Sequence, residues 1–425
     1  MHATWFYSTR FLVRENNVFD EGSLSYEVFR RYLRYFDVLT VVGRRLEEDN
    51  WLNMKYSSKA SGPRVDFEFL PSLSRFDYFR NYRAVARRVS ELVANSDVVI
   101  ARLPSEHACK AIHCAARQGK PVVVELVGCA WDSLWNYGSP IAKLYAPVAF
   151  ERTSRGVRKA DCVNWVSKEF LPRRYPAPRA RVKTSISDVQ LKDEIGAAEL
   201  VNLRNLGRLA AQPCLLPEYV TRRMACVEAP RTIGLIGSMK VAYKGHSTAF
   251  RALKLLSERG YNHRLRIIGA GDPAPWAERA RREKILDRVE FGGNLASGRP
   301  VLDWLDDVDI YIQPSRQEGL PRALIEAMSR GCPAVGSTAG GIPELLSPEC
   351  LHQPGDHARL AELVERACVD KPWRDQLIAR NVLVSLDYFD SILDPRRDSF
   401  WSEVAQLARL SRAQESAKTS LAATA

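Results

Sequence analysis

The chain lacks any apolar run near the roughly 20 residues needed to cross a bilayer. Its longest such stretch, from Val122 towards Trp131, is broken by Glu125. The N-terminus, MHATWFYSTRFLVREN, lacks the basic, apolar and small-residue order of a secretory leader. Cysteine is sparse and odd in number, nine in 425 residues without a regular framework, which fits free thiols in a reducing compartment. With 46% hydrophobic and 26% charged residues, the composition excludes wholesale disorder, collagen and coiled coil. What remains is a globular protein, expected to be cytoplasmic and long enough for two domains with filled cores.

Positive charge is in excess and unevenly placed. The formal net charge is +12. Residues 1–185 carry 30 basic and 19 acidic side chains, whereas 186–425 carry 32 and 31. The first half is therefore expected to meet something anionic, with a plain solvated basic surface as the alternative. Arg80, Arg83 and Arg87 fall on one helical face, close to Phe76, Phe79 and Tyr82. That pattern suits an anionic membrane surface, or a solvated helix whose aromatics face the core. No nucleic-acid-binding module accompanies it, so nucleic acid is not an expected partner.

Apolar runs of strand length alternate with helical periodicity. Strands are predicted at 36–42, 97–101 and 121–126, with helices at 26–35, 78–94 and 107–118. A second series predicts strands at 232–236, 264–268, 288–291, 309–312 and 333–336, with helices at 247–259 and 321–330. Pro321 at the first turn and Gly331 past the end mark the last helix. The repeated alternation predicts two doubly wound α/β domains. Their expected extents are 1–185 and 186–385, followed by an amphipathic helix and a frayed tail over 386–425.

One segment concentrates chemistry: Pro314-Ser315-Arg316-Gln317-Glu318-Gly319-Leu320-Pro321, then a helix containing Glu326. The amides that open a helix have no intrahelical acceptors and sit at the positive end of its dipole, so an anion belongs there. Gly319 lets backbone approach a phosphate closely. Glu318 on the loop can reach a ligand's hydroxyls, and the two oxygens of Glu326 suit a ribose diol.

This segment resembles the paired-glutamate motif of retaining, nucleotide-sugar-dependent glycosyltransferases of the GT-B fold, family 4. The resemblance continues in Gly237-Ser238-Met239 with Lys244-Gly245, in Ile267-Ile268-Gly269-Ala270-Gly271, in Val289-Glu290-Phe291-Gly292-Gly293 and in Gly340-Gly341-Ile342-Pro343-Glu344. It implies two facing Rossmann-like domains, with the C-terminal helix returning to the first. It further implies transfer of a hexose, with retention, from a UDP- or GDP-linked sugar to a saccharide or lipid-linked acceptor in polysaccharide biosynthesis. Glu318 would contact the donor sugar, Glu326 its ribose, and Lys244 its diphosphate, assisted by amides around Gly319 and Leu320. Gly22, in Glu21-Gly22-Ser23 at the start of the first long helix, matches the family's glycine loop facing the phosphates. The acceptor would attack from the leaving-group face, with a phosphate oxygen helping to remove its proton. Neither metal nor resident cofactor is implied.

Two positions depart from the family pattern. Ser238, still counted among the donor-binding residues that the resemblance implies, stands where many relatives have arginine, leaving Lys240 or Lys244 alone to supply charge. Val127-Gly128-Cys129-Ala130-Trp131-Asp132 contains no histidine where many relatives have one, with Asp132 as a substitute candidate or a capping residue. Asp307-Val308-Asp309 spells a metal-binding DxD but bridges a helix end and a strand start. His107, Cys109, His113 and Cys114 lack a second pair at zinc spacing. Two alternatives stay open: a nucleotide-sugar 2-epimerase of the same fold, and a non-catalytic nucleotide-sugar-binding subunit.

Overall fold

The apolar runs form parallel sheets in the computed structural model, which describes residues 1–20, 24–46, 58–72, 77–205, 217–226 and 228–424, without the side chains of 77–80, 203, 205 and 418–424. Two compact units emerge. One comprises Met1–Trp131, Leu144–Ile186 and Arg396–Ala425; the other comprises Asp132–Lys143 and Ser187–Pro395.

In the first unit the strands are β1 (His2–Arg14), β2 (Asn17–Asp20), β3 (Val38–Arg45), β4 (Ser58–Lys59), β5 (Val65–Phe69), β6 (Val98–Leu103), β7 (Val122–Leu126), β8 (Cys162–Trp165) and β9 (Val182–Ser185). The parallel order is β5-β3-β1-β6-β7-β8-β9, with β2 and β4 added antiparallel beside β1. The central strand, β1, is absent from the sequence prediction, because Thr4, Ser8, Thr9 and Arg10 interrupt its apolar run. Its first half is nonetheless buried, and Trp5 packs edge-to-face on Phe29 at 5.4 Å.

The helix predicted at 26–35 is shorter than expected, a single turn at Tyr26–Arg30 followed by a 3₁₀ turn at Tyr32–Arg34. Tertiary contacts override the local pattern there. Tyr32 is buried, donates its hydroxyl to Glu125 at 2.9 Å, and meets Trp401 edge-to-face at 4.8 Å. Trp401 lies on the helix Asp390–Thr424, which continues through the stretch expected to be frayed. Arg396 on that helix donates to the Ser185 carbonyl at 2.8 Å, and Tyr35 donates to Asp398. The returning helix is thus fastened to the first unit by an aromatic contact and polar ones.

The second unit contains β10 (Thr232–Ile236), β11 (Arg264–Ile268), β12 (Val289–Phe291), β13 (Ile310–Gln313), β14 (Ala334–Ser337) and β15 (Leu351–His352), in the order β12-β11-β10-β13-β14-β15. Every pairing is parallel. Buried parallel strands need apolar residues on both faces, which is why these runs read so clearly in sequence. The order reverses direction between β10 and β13. Ligands of open α/β sheets bind outside the carboxyl ends of strands at such a switch point.

Candidate active site

The loops leaving β10 and β13 bring the predicted residues together. Lys244 Nζ donates to Glu318 Oε1 at 2.7 Å, and both side chains are largely buried. The same oxygen accepts from Ser315 Oγ at 2.7 Å and from Gln313 Nε2 at 3.1 Å. Gln313 in turn donates to Ser315 Oγ at 2.9 Å and accepts from the Tyr311 hydroxyl at 2.8 Å. Burial pushes the Tyr311 phenol well above its ordinary range, so it stays a donor. Three donors converge on Oε1, while Oε2 has no partner among the described residues. Glu318 is thereby held with one oxygen left for a ligand.

Glycines shape this loop from behind. Gly340 has φ +57°, and a Cβ there would fall 1.9 Å from the Glu318 carbonyl oxygen. Gly341 donates its amide to the Gly319 carbonyl at 3.0 Å, and a Cβ at Gly341 would fall 2.4 Å from the same oxygen. The Gly-Gly pair therefore exists to let two backbones touch. Neither Gln313, Ser315 nor the Gly340-Gly341 pair carries a role in the sequence reading. A polar Gln at the end of an otherwise apolar strand, and a Ser three residues before the glutamate, are the signals that could have found them.

Gly319 and the buried Leu320 precede the helix Arg322–Ser329, which has Pro321 at its N-cap. Proline supplies no side-chain cap, so the first amides of the helix are left for a ligand or solvent. Glu326 is half-buried on that helix and no side chain among the described residues pairs with its carboxylate. Burial raises its pKa above the ordinary 4.5, with Arg322 pulling the other way.

The second half of the loop system is built on β10. Ser238 Oγ donates to the Ala270 carbonyl at 3.0 Å and accepts from the Lys240 amide at 3.3 Å. Its hydroxyl is thus engaged within the loop. A Cβ at Gly269 would fall 2.2 Å from the Gly237 carbonyl oxygen, so this glycine serves the packing of one strand end on the next. Gly22 lies outside the described residues, as do Arg75 and Phe76.

Other candidates have structural employment. Asp309 accepts from the amides of Arg231 and Thr232, both at 2.8 Å, and so caps the start of β10. His107 is buried, bonded to the Pro71 carbonyl at 2.9 Å, and its pKa is lowered to about 4 by burial. Cys109 is pushed up to about 12 by burial, far from a thiolate ligand. In the segment after β7, Cys129 and the Ala130 amide are held by the Tyr175 hydroxyl at 3.3 and 3.0 Å. Asp132 sits in the first turn of the helix Ala130–Trp135.

Residues 230–370 match the family model described as "Glycosyl transferases group 1". The matched segment contains Lys244, Glu318 and Glu326. Protein CapJ of Staphylococcus aureus is 28% identical over 368 residues, 86% of each chain. A putative colanic acid biosynthesis glycosyltransferase, WcaL of Escherichia coli K12, is 34% identical over 34% of this chain and 39% of its own. Among solved structures, sucrose-phosphate synthase of Thermosynechococcus elongatus has a TM-score of 0.62 at 15% identity, covering 97% of this chain and 99% of that one. Anabaena HepE in complex with UDP-glucose has a TM-score of 0.60 at 14% identity, covering 95% and 100%. The fold is GT-B. The sequence matches support a glycosyltransferase of capsule or exopolysaccharide biosynthesis, and favour neither the epimerase nor the non-catalytic alternative.

Proposed function

We propose that this chain is a retaining hexosyltransferase that uses a UDP- or GDP-linked sugar and a saccharide or lipid-linked acceptor. The observation that carries this reading is the cluster of Lys244, Glu318, Ser315 and Gln313 at the switch point of the second sheet, with Glu326 on the helix that follows. Lys244 neutralises the donor diphosphate, joined by the amides around Gly319 and Leu320; Glu318 Oε2 takes the sugar hydroxyls; Glu326 takes the ribose. Leaving-group charge then develops against a fixed cation and fixed dipoles, where electrostatic stabilisation is strongest. The acceptor attacks from the leaving-group face and passes its proton to a phosphate oxygen, in a reaction for which we propose neither a metal nor a resident cofactor. With Ser238 engaged in its own loop, the phosphate charge rests on Lys244, with Lys240 close by in sequence.

The test is thermal stabilisation by UDP, GDP and ADP, each with and without magnesium, on wild type and Glu326→Ala. A ligand at about 100 times its Kd adds roughly 2.7 kcal/mol. Stabilisation by one nucleotide without metal, weaker in the variant, is the expected result; no shift with any of them would refute the site.

A membrane-facing role for the first unit belongs to the same proposal. Arg83 and Arg87 are exposed on the helix Asp77–Ala94, and the first half carries most of the positive charge. No helix among the described residues is long and apolar enough to cross a membrane. Charge reversal at Arg83 and Arg87 should weaken sedimentation with anionic vesicles; unchanged sedimentation would remove this part of the proposal. Placement in the cytoplasm, peripheral to the inner face of the cell membrane, follows from it.

A further inference from the structure

A second cationic site adjoins the loops just described. A cavity of about 230 Å³ in the second unit is lined by Gly245, Ser247, Thr248, Arg251, Arg279 and Arg316, and by no carboxylate. All three guanidinium groups are exposed, so their mutual repulsion is screened, and together they give the cavity a positive field that favours an anion. Arg251 has a loose ion pair to Glu283 at 3.8 Å; Arg279 and Arg316 have no ion pair among the described residues. The cavity floor is the start of the helix His246–Glu258, which is capped by Gly245 in the left-handed region at φ +84° and has no side-chain cap. Its first amides and its dipole favour negative charge.

Thr248 decides the matter. It is only 3% exposed, lines the cavity, and its hydroxyl has no partner among the described residues. Its hydroxyl is therefore open to whatever occupies the cavity, solvent or ligand. Ser247 adds a second unpartnered hydroxyl on the same wall. Hydroxyl donors, helix amides and planar guanidinium forks together match the oxygens of a phosphate group.

We propose that this cavity binds the phosphate of a soluble small molecule, separately from the nucleotide sugar. Gly245 follows Lys244, Arg316 precedes Glu318 by two residues, and the Arg316 amide donates to the Tyr243 carbonyl at 2.7 Å. The bound anion therefore sits against the two segments that hold the Lys244–Glu318 pair.

The test is calorimetric titration of the full-length protein with inorganic phosphate. Arg279→Gln should weaken binding at least tenfold, and Thr248→Val several-fold, while Lys244→Ala leaves it essentially unchanged. Arg279 is exposed and without an ion pair, so its variant should melt as wild type does; Thr248→Val keeps the charge and tests the cavity independently. Binding unaltered in both cavity variants, or abolished by Lys244→Ala alone, would overturn the proposal. The latter result would place the anion among the groups assigned to the donor diphosphate. Nucleotide stabilisation is read in a separate experiment, so failure here leaves the proposed function standing.

Discussion

Lys244 and Glu318 meet at 2.7 Å although 74 residues separate them, joining the loop after β10 to the loop after β13. Neither group is fully exposed, so their attraction is screened less than that of a surface pair. Under the proposed function, a donor diphosphate competes with Glu318 for the lysine. Ser315 and Gln313 then keep Glu318 Oε1 in position once the lysine turns to the ligand. On that reading the pair is a resting arrangement that a donor can open without dismantling the glutamate's support.

From this follow opposite signatures for the two partners. Glu318→Ala should lower transfer by about 10²–10³-fold, the usual effect of removing one preorganised polar group, while nucleotide binding largely survives. Lys244→Ala should weaken nucleoside diphosphate binding by about 1.5–3 kcal/mol, the worth of a charged hydrogen bond. Turnover assays and calorimetric titration separate the two. Near-wild-type transfer in Glu318→Ala would show that its assigned role is wrong.

Gly340→Ala should be expensive for its size. The new methyl group would meet the Glu318 carbonyl oxygen, and the residue would keep a positive φ that alanine resists. A destabilisation of about 1–3 kcal/mol is expected from the strained backbone alone, with transfer falling further because the loop must shift. Urea denaturation measures the first and turnover the second. An alanine variant as stable and active as wild type would show that the close approach is not required.

Glu326 makes a prediction in pH. Its carboxyl is held above the ordinary 4.5 by burial, partly offset by Arg322. Between those two values the folded chain keeps a proton that the unfolded chain has released. Stability therefore falls as pH rises through that window, and the penalty persists at neutral pH. Glu326→Gln should match wild type at about pH 4 or below and exceed it near pH 7, since the amide has no charge to desolvate. Denaturant midpoints at both pH values check this. A variant that lost its advantage on going from acid to neutral pH would contradict the sign.

The second sheet was legible in the sequence almost strand for strand, because parallel strands buried on both faces leave uninterrupted apolar runs. The paired glutamates and Lys244 were legible too, through spacing around a strand, a glycine loop and a helix start. β1 was not, since Thr4, Ser8 and Arg10 break its pattern and its burial depends on neighbours distant in sequence. The helix at 26–35 was read too long for a related reason: Tyr32 bonds Glu125 and packs on Trp401, contacts that no local signal announces. Ser315 stood inside the quoted motif, and Gln313 just ahead of it, without a role. Their meaning lies in direction, since both aim at one oxygen of Glu318, and direction is a property of the folded loop.

Ser315→Ala tests that meaning. The serine is fully buried and donates to Glu318 at 2.7 Å, so removing its hydroxyl costs a donor and leaves a small gap. A stability loss of about 1 kcal/mol is the ordinary price of one such hydrogen bond. A merely structural serine would cost that and no more. If it positions Glu318, kcat should fall by roughly tenfold to a hundredfold, as small misplacements of a reacting group do, with nucleotide affinity unchanged. Measuring kcat, nucleotide binding and denaturant midpoint on the same preparation separates the outcomes. A variant with lowered stability and unaltered kcat would show that Lys244 and Gln313 suffice to orient the glutamate.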